Sequence, residues 1–138
     1  MNLPGDSGVR HLKARYSFRG ADDELTKTLP LMTDETVSLR GACRLRRIGH
    51  LPRPCIVRVT NCRLSLLFHH AFGSDPIVDI DRDRVSGTTM QGKRLRIEWT
   101  VLGISDSVQL QPWTGRAYPA RPLDDLEKLY YAIQALTG

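Results

Sequence analysis

The sequence predicts a mainly β protein, with about seven antiparallel strands followed by one C-terminal amphipathic α-helix. Short apolar runs with period-two alternation recur about every ten residues from Val37 to Gln111, as in small all-β barrels and sandwiches. After Pro122 the apolar residues recur at helical spacing instead. With 138 residues, 41% hydrophobic and 25% charged, the chain can bury one sizeable core and is short for two domains.

The N-terminal part of the chain is predicted to be a partly ordered extension over residues 1–35. It mixes glycine, proline and charge, and its most promising segment, residues 9–18, is basic and sparsely apolar. A short helix is expected to start at Asp22-Asp23. The domain itself is predicted over residues 36–138.

Seven segments carry the strand pattern. They are residues 38–48, 55–60, 63–69, 77–81, 85–90, 94–102 and 107–111. The clearest is 94–102, where Leu95, Ile97 and Trp99 alternate with polar residues, so that one face is predicted to be buried and the other wet. Gln91-Gly92, just before it, is a natural turn.

The most informative stretch is residues 55–68, in which two alternating apolar runs meet across Asn61-Cys62. The two-residue gap predicts a tight hairpin, because Asn tolerates the positive φ that such turns need. The step Val59-Thr60-Asn61-x-Arg63-Leu64, followed later by Pro76-Ile77-Val78-Asp79-Ile80, resembles the GRAM and bacterial PH-like domains. This resemblance covers about residues 29–136. It implies a PH-like, partly open barrel with one open end plugged by the last helix.

The last helix is predicted from one apolar stripe: Leu126, Leu129, Tyr130, Ile133 and Leu136. Pro122 suits a first helical turn, and Asp124 and Asp125 complement the positive end of the helix dipole. Asp124 with Glu127 could form a capping box. Because the stripe would otherwise be an exposed patch, the helix is expected to belong to the core.

A basic cluster spans the first predicted hairpin and is the candidate site for an anionic ligand. Its members are Arg44, Arg46, Arg47, His50, Arg53 and Arg58, with Lys13 and Arg15 as candidate neighbours. Arg58 alternates with Val57 and Val59 and is therefore expected to leave the core face. Lipid-binding PH domains surround a phosphate with such side chains, and here the position of their second basic residue holds Ile56. A site for phosphate, a loose attraction to anionic membrane and a plain solvated basic face stay open.

The remaining polar patterns predict no metal, no cofactor and no catalytic site. Asp79, Asp81 and Asp83 share one face of a strand, but the glycine and glutamate of a calcium loop are missing, as are the serine and glycine of the PilZ cyclic-dinucleotide motif. His69 and His70 are adjacent and point to opposite faces. There is no Cys-x-x-Cys, no His-Glu-x-x-His, no Gly-x-Ser-x-Gly elbow and no phosphate-cradling glycine loop.

The net charge of +5 favours an anionic partner. Nucleic acid is not favoured, because Phe68 and Trp99 fall on predicted core faces. The aromatic residues expected on the surface are Tyr16, Phe18, Trp113 and Tyr118. No apolar run approaches the ~20 residues of a membrane span, no signal pattern opens the chain, and three cysteines predict reduced thiols. We expect a cytoplasmic protein, with association at a membrane surface left open.

The function predicted from these observations is that of a non-enzymatic PH-like binding or adaptor module. It would bind a protein partner or a second copy of itself, through an exposed sheet edge or the groove beside the helix. The alternative is peripheral binding to anionic membrane lipid through the basic hairpin face.

Overall fold

The computed structural model of the chain describes residues 9–13, 21–46, 52–68, 74–113, 122–123 and 125–138. The elements are β1 Val9–Lys13, α1 Ala21–Thr28, β2 Val37–Arg46, β3 Arg53–Thr60, β4 Arg63–Phe68, β5 Ser74–Asp81, β6 Val85–Gln91, β7 Arg94–Val101, β8 Ile104–Gln111 and α2 Glu127–Thr137. A 3-10 turn over Arg82–Arg84 joins β5 to β6.

The eight described strands form one antiparallel sheet in the order β1-β5-β4-β3-β2-β8-β7-β6. Two meanders share β2, which pairs with β3 along its length and with β8 at its last residues, Arg44, Leu45 and Arg46. The predicted fold class is therefore confirmed: the protein is mainly β, an open antiparallel sheet that matches a partly open barrel, with a C-terminal helix. The first strand, β1, adds to the edge of β5.

The inner face of the sheet holds the main core, to which β2–β8 all contribute. Alternate residues such as Val57, Leu66, Ile97 and Trp99 are buried there. Helix α2 covers this face with Leu129, Ile133 and Leu136, joined by Leu126 just before the helix, all at most 7% exposed. The predicted stripe and the place of the helix in the core are confirmed.

The start of α2 differs from the prediction. The helix begins at Glu127, and Leu126 in the N-cap position offers no side-chain cap. Asp125 accepts the Glu127 backbone N–H instead, at 2.9 Å. Pro122 lies outside the helix because its segment is held against the sheet: Pro122 forms a β-bridge with Ala42, and the Leu123 N–H donates to Ala42 O at 2.7 Å. Asp124 lies outside the described residues.

The outer face of the sheet has a second, smaller apolar cluster. Leu25 and Leu29, from α1 and the residue after it, are buried with Ala42, Ile56, Leu67 and Ile77. The short helix predicted at Asp22-Asp23 is confirmed. Because this second cluster covers its outer face, strand β3 is buried on both faces over most of its length. The division of the chain into an extension and a domain at residue 35 stays a prediction.

Candidate functional site

The structure separates the side chains of the predicted basic cluster. Arg44 is half-buried, with its guanidinium 5.8 Å from the centre of the Trp113 ring, and Arg46 is exposed. Arg53 is half-buried and pairs across the sheet with Leu45, a core residue, so both side chains lie on the inner face. Arg44 and Arg46, on either side of Leu45, lie on the outer face. Arg47 and His50 lie outside the described residues, and the anion site stays a prediction.

Arg58 leaves the inner face as predicted, but the expectation of an exposed Arg58 is wrong. Its side chain is 1% exposed, because α1 and the segment after it cover the outer face of β3. Within the described residues, its buried Nε and Nη2 groups have no hydrogen-bond partner. It is five residues from Arg53, about 16 Å along a strand. The two guanidinium groups therefore do not converge on one ligand.

The segment that follows α1 is fixed to the β3–β4 hairpin by one carboxylate. Glu35 accepts hydrogen bonds from Thr60 Oγ1 at 2.6 Å, from Arg63 Nε at 2.8 Å and from the Met32 backbone N–H at 3.0 Å. Arg63 also donates to Pro30 O at 2.9 Å. We call this arrangement, residues 30–36 held by Glu35 and Arg63, the strap.

Electrostatics favour the ionised forms of the strap pair. Burial would raise the pKa of Glu35, but hydrogen bonds from Arg63, Thr60, Cys62 and Met32 outweigh it and bring the pKa to about 2. Burial alone would lower the pKa of Arg63, and its bonds to Glu35 and Asp79 raise it. Burial lowers the pKa of Arg58, and repulsion from Arg63 lowers it further. At neutral pH, Glu35 and Arg63 are therefore both ionised, and their ion pair holds the strap.

The predicted hairpin at Asn61-Cys62 is present, with different turn chemistry. Among the described residues outside glycine, only Leu102 has a positive φ, so Asn61 does not use this conformation. Its side chain accepts the Thr36 N–H at 3.0 Å and donates to Asp34 O at 2.9 Å. Thr60 Oγ1 accepts the Arg63 N–H at 3.1 Å inside the turn. Asn61 thereby holds the strap rather than the turn.

An open cleft of about 730 Å³ lies between α2 and the sheet edge formed by β6. Its strand side and neighbouring walls are formed by Thr88, Thr89, Met90, Gly92, Lys93 and Pro112, and its helix side by Asp125, Leu126, Glu127, Tyr130 and Tyr131. Met90 and Tyr130 pack against the main core and Leu126 belongs to it. Tyr131 is 60% exposed. The cleft therefore has an apolar floor and a polar rim.

The edge of β6 beside this cleft is open. Within the described part of the chain, β6 pairs only with β7, and a register shift between Val85 and Gly87 leaves residues 87–91 as its regular portion. On the rim, Lys93 supplies a cation, and Asp125 and Glu127 supply two carboxylates. The sequence could indicate a groove beside the helix, but not these residues, because β6 and α2 are far apart in the chain.

The other polar candidates are not brought together into a site. Asp79 accepts hydrogen bonds from Ser65 Oγ at 2.9 Å and Arg63 Nη1 at 3.3 Å, whereas Asp81 and Asp83 are exposed. In the described residues no three His, Cys, Asp or Glu side chains are placed to hold a metal ion. His69 and His70 lie outside them.

The cysteines are free thiols. Cys43 and Cys55 face each other across β2 and β3 in the main core, where burial and the neighbouring Cys43 thiol raise the pKa of Cys55 well above its ordinary value. Cys62 Sγ lies 3.1 Å from a Glu35 oxygen, and burial together with this contact raises its pKa. Neither Cys55 nor Cys62 is therefore an activated thiolate. In the described ranges, no helix has the length and apolar character of a membrane span.

Comparison with known proteins supports the fold alone. No protein-family model matches the chain, and no curated protein sequence matches it. Its structure is similar to that of the hSac2 domain from human phosphoinositide phosphatase Sac2, with a TM-score of 0.59 over 88% of this chain and 83% of that one. Only 13% of the aligned residues are identical. Membership of the GRAM or bacterial PH-like families stays a prediction.

Proposed function

We propose that this protein is a non-enzymatic PH-like binding module of the cytoplasm that takes an extended peptide segment of a protein partner into the cleft beside α2. The supporting observation is the combination of the cleft with the open edge of β6. An unpaired strand edge offers a row of backbone donors and acceptors, and an extended peptide satisfies them by adding one more strand. The apolar floor then provides a pocket for a side chain.

The length of the regular edge limits the peptide. Residues 87–91 span about 17 Å, so about five peptide residues would pair with them. Side chains alternate between the two faces of an added strand. Those on the inner side would lie over Met90 and Tyr130, where one large apolar side chain would be removed from water.

The charges on the rim favour a basic residue beside that apolar anchor. Asp125 and Glu127 are exposed on the helix side, and Tyr131 Oη lies 3.5 Å from Glu127 Oε1. Lys93 is at the far side, on the β6–β7 turn. A peptide lysine or arginine next to the helix would gain the attraction of two carboxylates, which is screened by salt.

The test uses the full chain as the target for selecting peptides from a random displayed library. The affinity of the selected peptides is then measured for the parent protein and for its variants. We expect Tyr131→Ala to weaken binding of the selected peptides by about tenfold or more, because it removes a wall of the cleft. Glu127→Lys should weaken peptides that carry a basic residue. In NMR spectra, the backbone amides of residues 87–91 should shift on binding.

Gln134→Ala is the matched control, since Gln134 is exposed on the same helix and does not line the cleft. It should bind the peptides as the parent does. Selected peptides that bind Tyr131→Ala unchanged, or that shift amides only outside β6 and α2, would contradict the proposal.

A further inference from the structure

The turn that joins β7 to β8 has an unusual residue at its first position. Val101 pairs with Ile104, and the two residues between them, Leu102 and Gly103, have φ values of 53° and 78°. Positive φ at both central positions is the geometry of a type I′ hairpin turn. Such turns favour Asn, Asp or Gly at the first position, because other side chains crowd the following carbonyl.

Leucine at this position is the exception in the described part of the chain, where no other residue except glycine has a positive φ. For this reason the turn is not predicted from the sequence, in which one strand is expected to end at residue 102 and the next to start at 107. Leu-Gly does not carry the usual turn signal. A bulky residue in this conformation is strained, and strain that persists at an exposed position is an indication of function.

Leu102 and Ile104 are also exposed, which makes this turn an apolar tip. They are 69% and 74% exposed, the highest values among the large apolar side chains of the described residues. Two side chains are far too small a patch for a stable protein interface, which needs about 800 Å² on each partner. They are sufficient for shallow insertion into a bilayer interface, where no complementary shape is required.

The position of Arg46 agrees with such an insertion. Exposed Arg46 is the last residue of β2 and pairs with Gln109 of β8. Because the two strands are antiparallel, Ile104 lies five residues beyond this pair, about 16 Å past the end of β2. If the tip enters by about 5 to 10 Å, Arg46 stays within roughly one Debye length of the lipid surface. Asp106 lies between the tip and Arg46, where its carboxylate accepts the Ser107 N–H at 2.8 Å. It opposes the attraction to anionic lipid.

We propose that the apolar tip, Leu102 to Ile104, inserts into the interfacial region of an anionic lipid bilayer and gives the module weak, reversible membrane association. This surface is separate from the peptide cleft, whose lining does not include it. It also differs from the predicted basic hairpin face, because apolar side chains make the main contact and Arg46 only assists.

The experiment is sedimentation of the full chain with vesicles of phosphatidylcholine containing one fifth phosphatidylserine, at low and at physiological salt. The variant Leu102→Asn with Ile104→Thr should lose about tenfold or more in vesicle partition, since it removes both apolar side chains. Leu102→Asn creates an Asn-Gly turn, which type I′ geometry favours, so the melting temperature should not fall. Asp106→Asn should strengthen partition several-fold.

Met32→Asn is the matched control. Met32 is 58% exposed, and it lies in the strap next to the beginning of β2, at the end of that strand opposite Arg46. It should partition as the parent does. The proposal is overturned if the parent does not sediment with these vesicles even at low salt, if the double variant sediments equally well, or if only Met32→Asn loses binding. It is also overturned if the double variant abolishes self-association in sedimentation velocity without changing vesicle binding, which would make the tip a protein contact.

Discussion

The two faces of the central strands are covered in different ways. The inner face is closed by α2, whose three buried aliphatic side chains and the preceding Leu126 lie over an apolar core. The outer face is closed by α1, with Leu25 and Leu29, and by a strap that is held through an ion pair. The inner cover follows a period that the sequence displays, whereas the outer cover depends on single polar residues from distant segments.

This difference has an energetic consequence. Apolar burial is tolerant of direction and adds up with area. A buried ion pair has a desolvation cost that is offset only by good geometry. Removing one partner therefore destabilises the fold by more than the intact pair stabilises it. We therefore expect the inner face to carry most of the stability and the outer face to be sensitive to a few substitutions.

The largest effect is expected from the inner face. Leu129→Ala together with Ile133→Ala removes two fully buried side chains of α2. Each such change typically costs ~2 to 5 kcal/mol, against a total stability of ~5 to 15 kcal/mol. The double variant should be largely unfolded or aggregated in circular dichroism and gel filtration. A melting curve like that of the parent would mean that α2 is peripheral to the core.

The next effect concerns the strap. Glu35→Ala leaves Arg63, whose side chain is only 11% exposed, without its main partner and also frees Thr60 Oγ1. We expect a loss of about 3 to 5 kcal/mol in the free energy of unfolding, measured by urea denaturation.

The matched control for the strap is the exposed ion pair between Arg96 and Glu98, whose side chains are 48% and 45% exposed. Glu98→Ala should cost well under about 1 kcal/mol. Equal losses in the two variants would mean that burial does not distinguish the strap pair from a surface pair.

The pH dependence of the free energy of unfolding tests the ion pair on the outer face without any change to the apolar core of the inner face. The pKa of Glu35 is about 2 in the folded chain and 4.5 in its ordinary state. A depressed carboxyl pKa gives stability that is fully present above pH 4.5 and is lost as the pH falls towards 2, amounting to about 3 kcal/mol. Glu35→Gln should flatten this part of the stability curve relative to the parent. Parallel curves for the two proteins would show that Glu35 titrates normally.

The sequence predicted the parts of the fold that depend on periodicity. Each of the seven predicted segments overlaps an observed strand and the α2 stripe was placed correctly, since alternation such as Leu95, Ile97 and Trp99 directly reflects burial on one face. The last segment was started three residues late, and β1 was not predicted. Period-two alternation predicts on which face of the sheet a side chain lies, but not whether another segment of the chain covers that face. For this reason Arg58 was correctly assigned to the outer face and wrongly expected to be exposed.

The candidate sites could be predicted only in part. A groove beside the helix was one of the expected binding surfaces, but its residues come from β6 and α2, which no local pattern connects. Glu35 stands alone in a polar segment, and nothing in its neighbourhood indicates a partner at Arg63. Leu102 was missed because a strained turn departs from the residue preferences on which the prediction of turns rests.

Arg58 provides the smallest and sharpest test of the comparison. Its buried Nε and Nη2 groups have no hydrogen-bond partner in the part of the chain that the structure describes. Burial and then repulsion from Arg63 lower its pKa, and the attraction of Glu35 and Asp79 only partly offsets them. Replacing a poorly satisfied buried charge by an apolar side chain of similar length is often neutral or stabilising. Arg58→Met should therefore leave the free energy of unfolding unchanged or raise it by about 1 kcal/mol, whereas Arg63→Met should lower it as Glu35→Ala does. If Arg58→Met instead destabilises the chain as strongly as Arg63→Met, the outer face is a connected polar core in which both guanidinium groups are paired, and the strap is only one part of it.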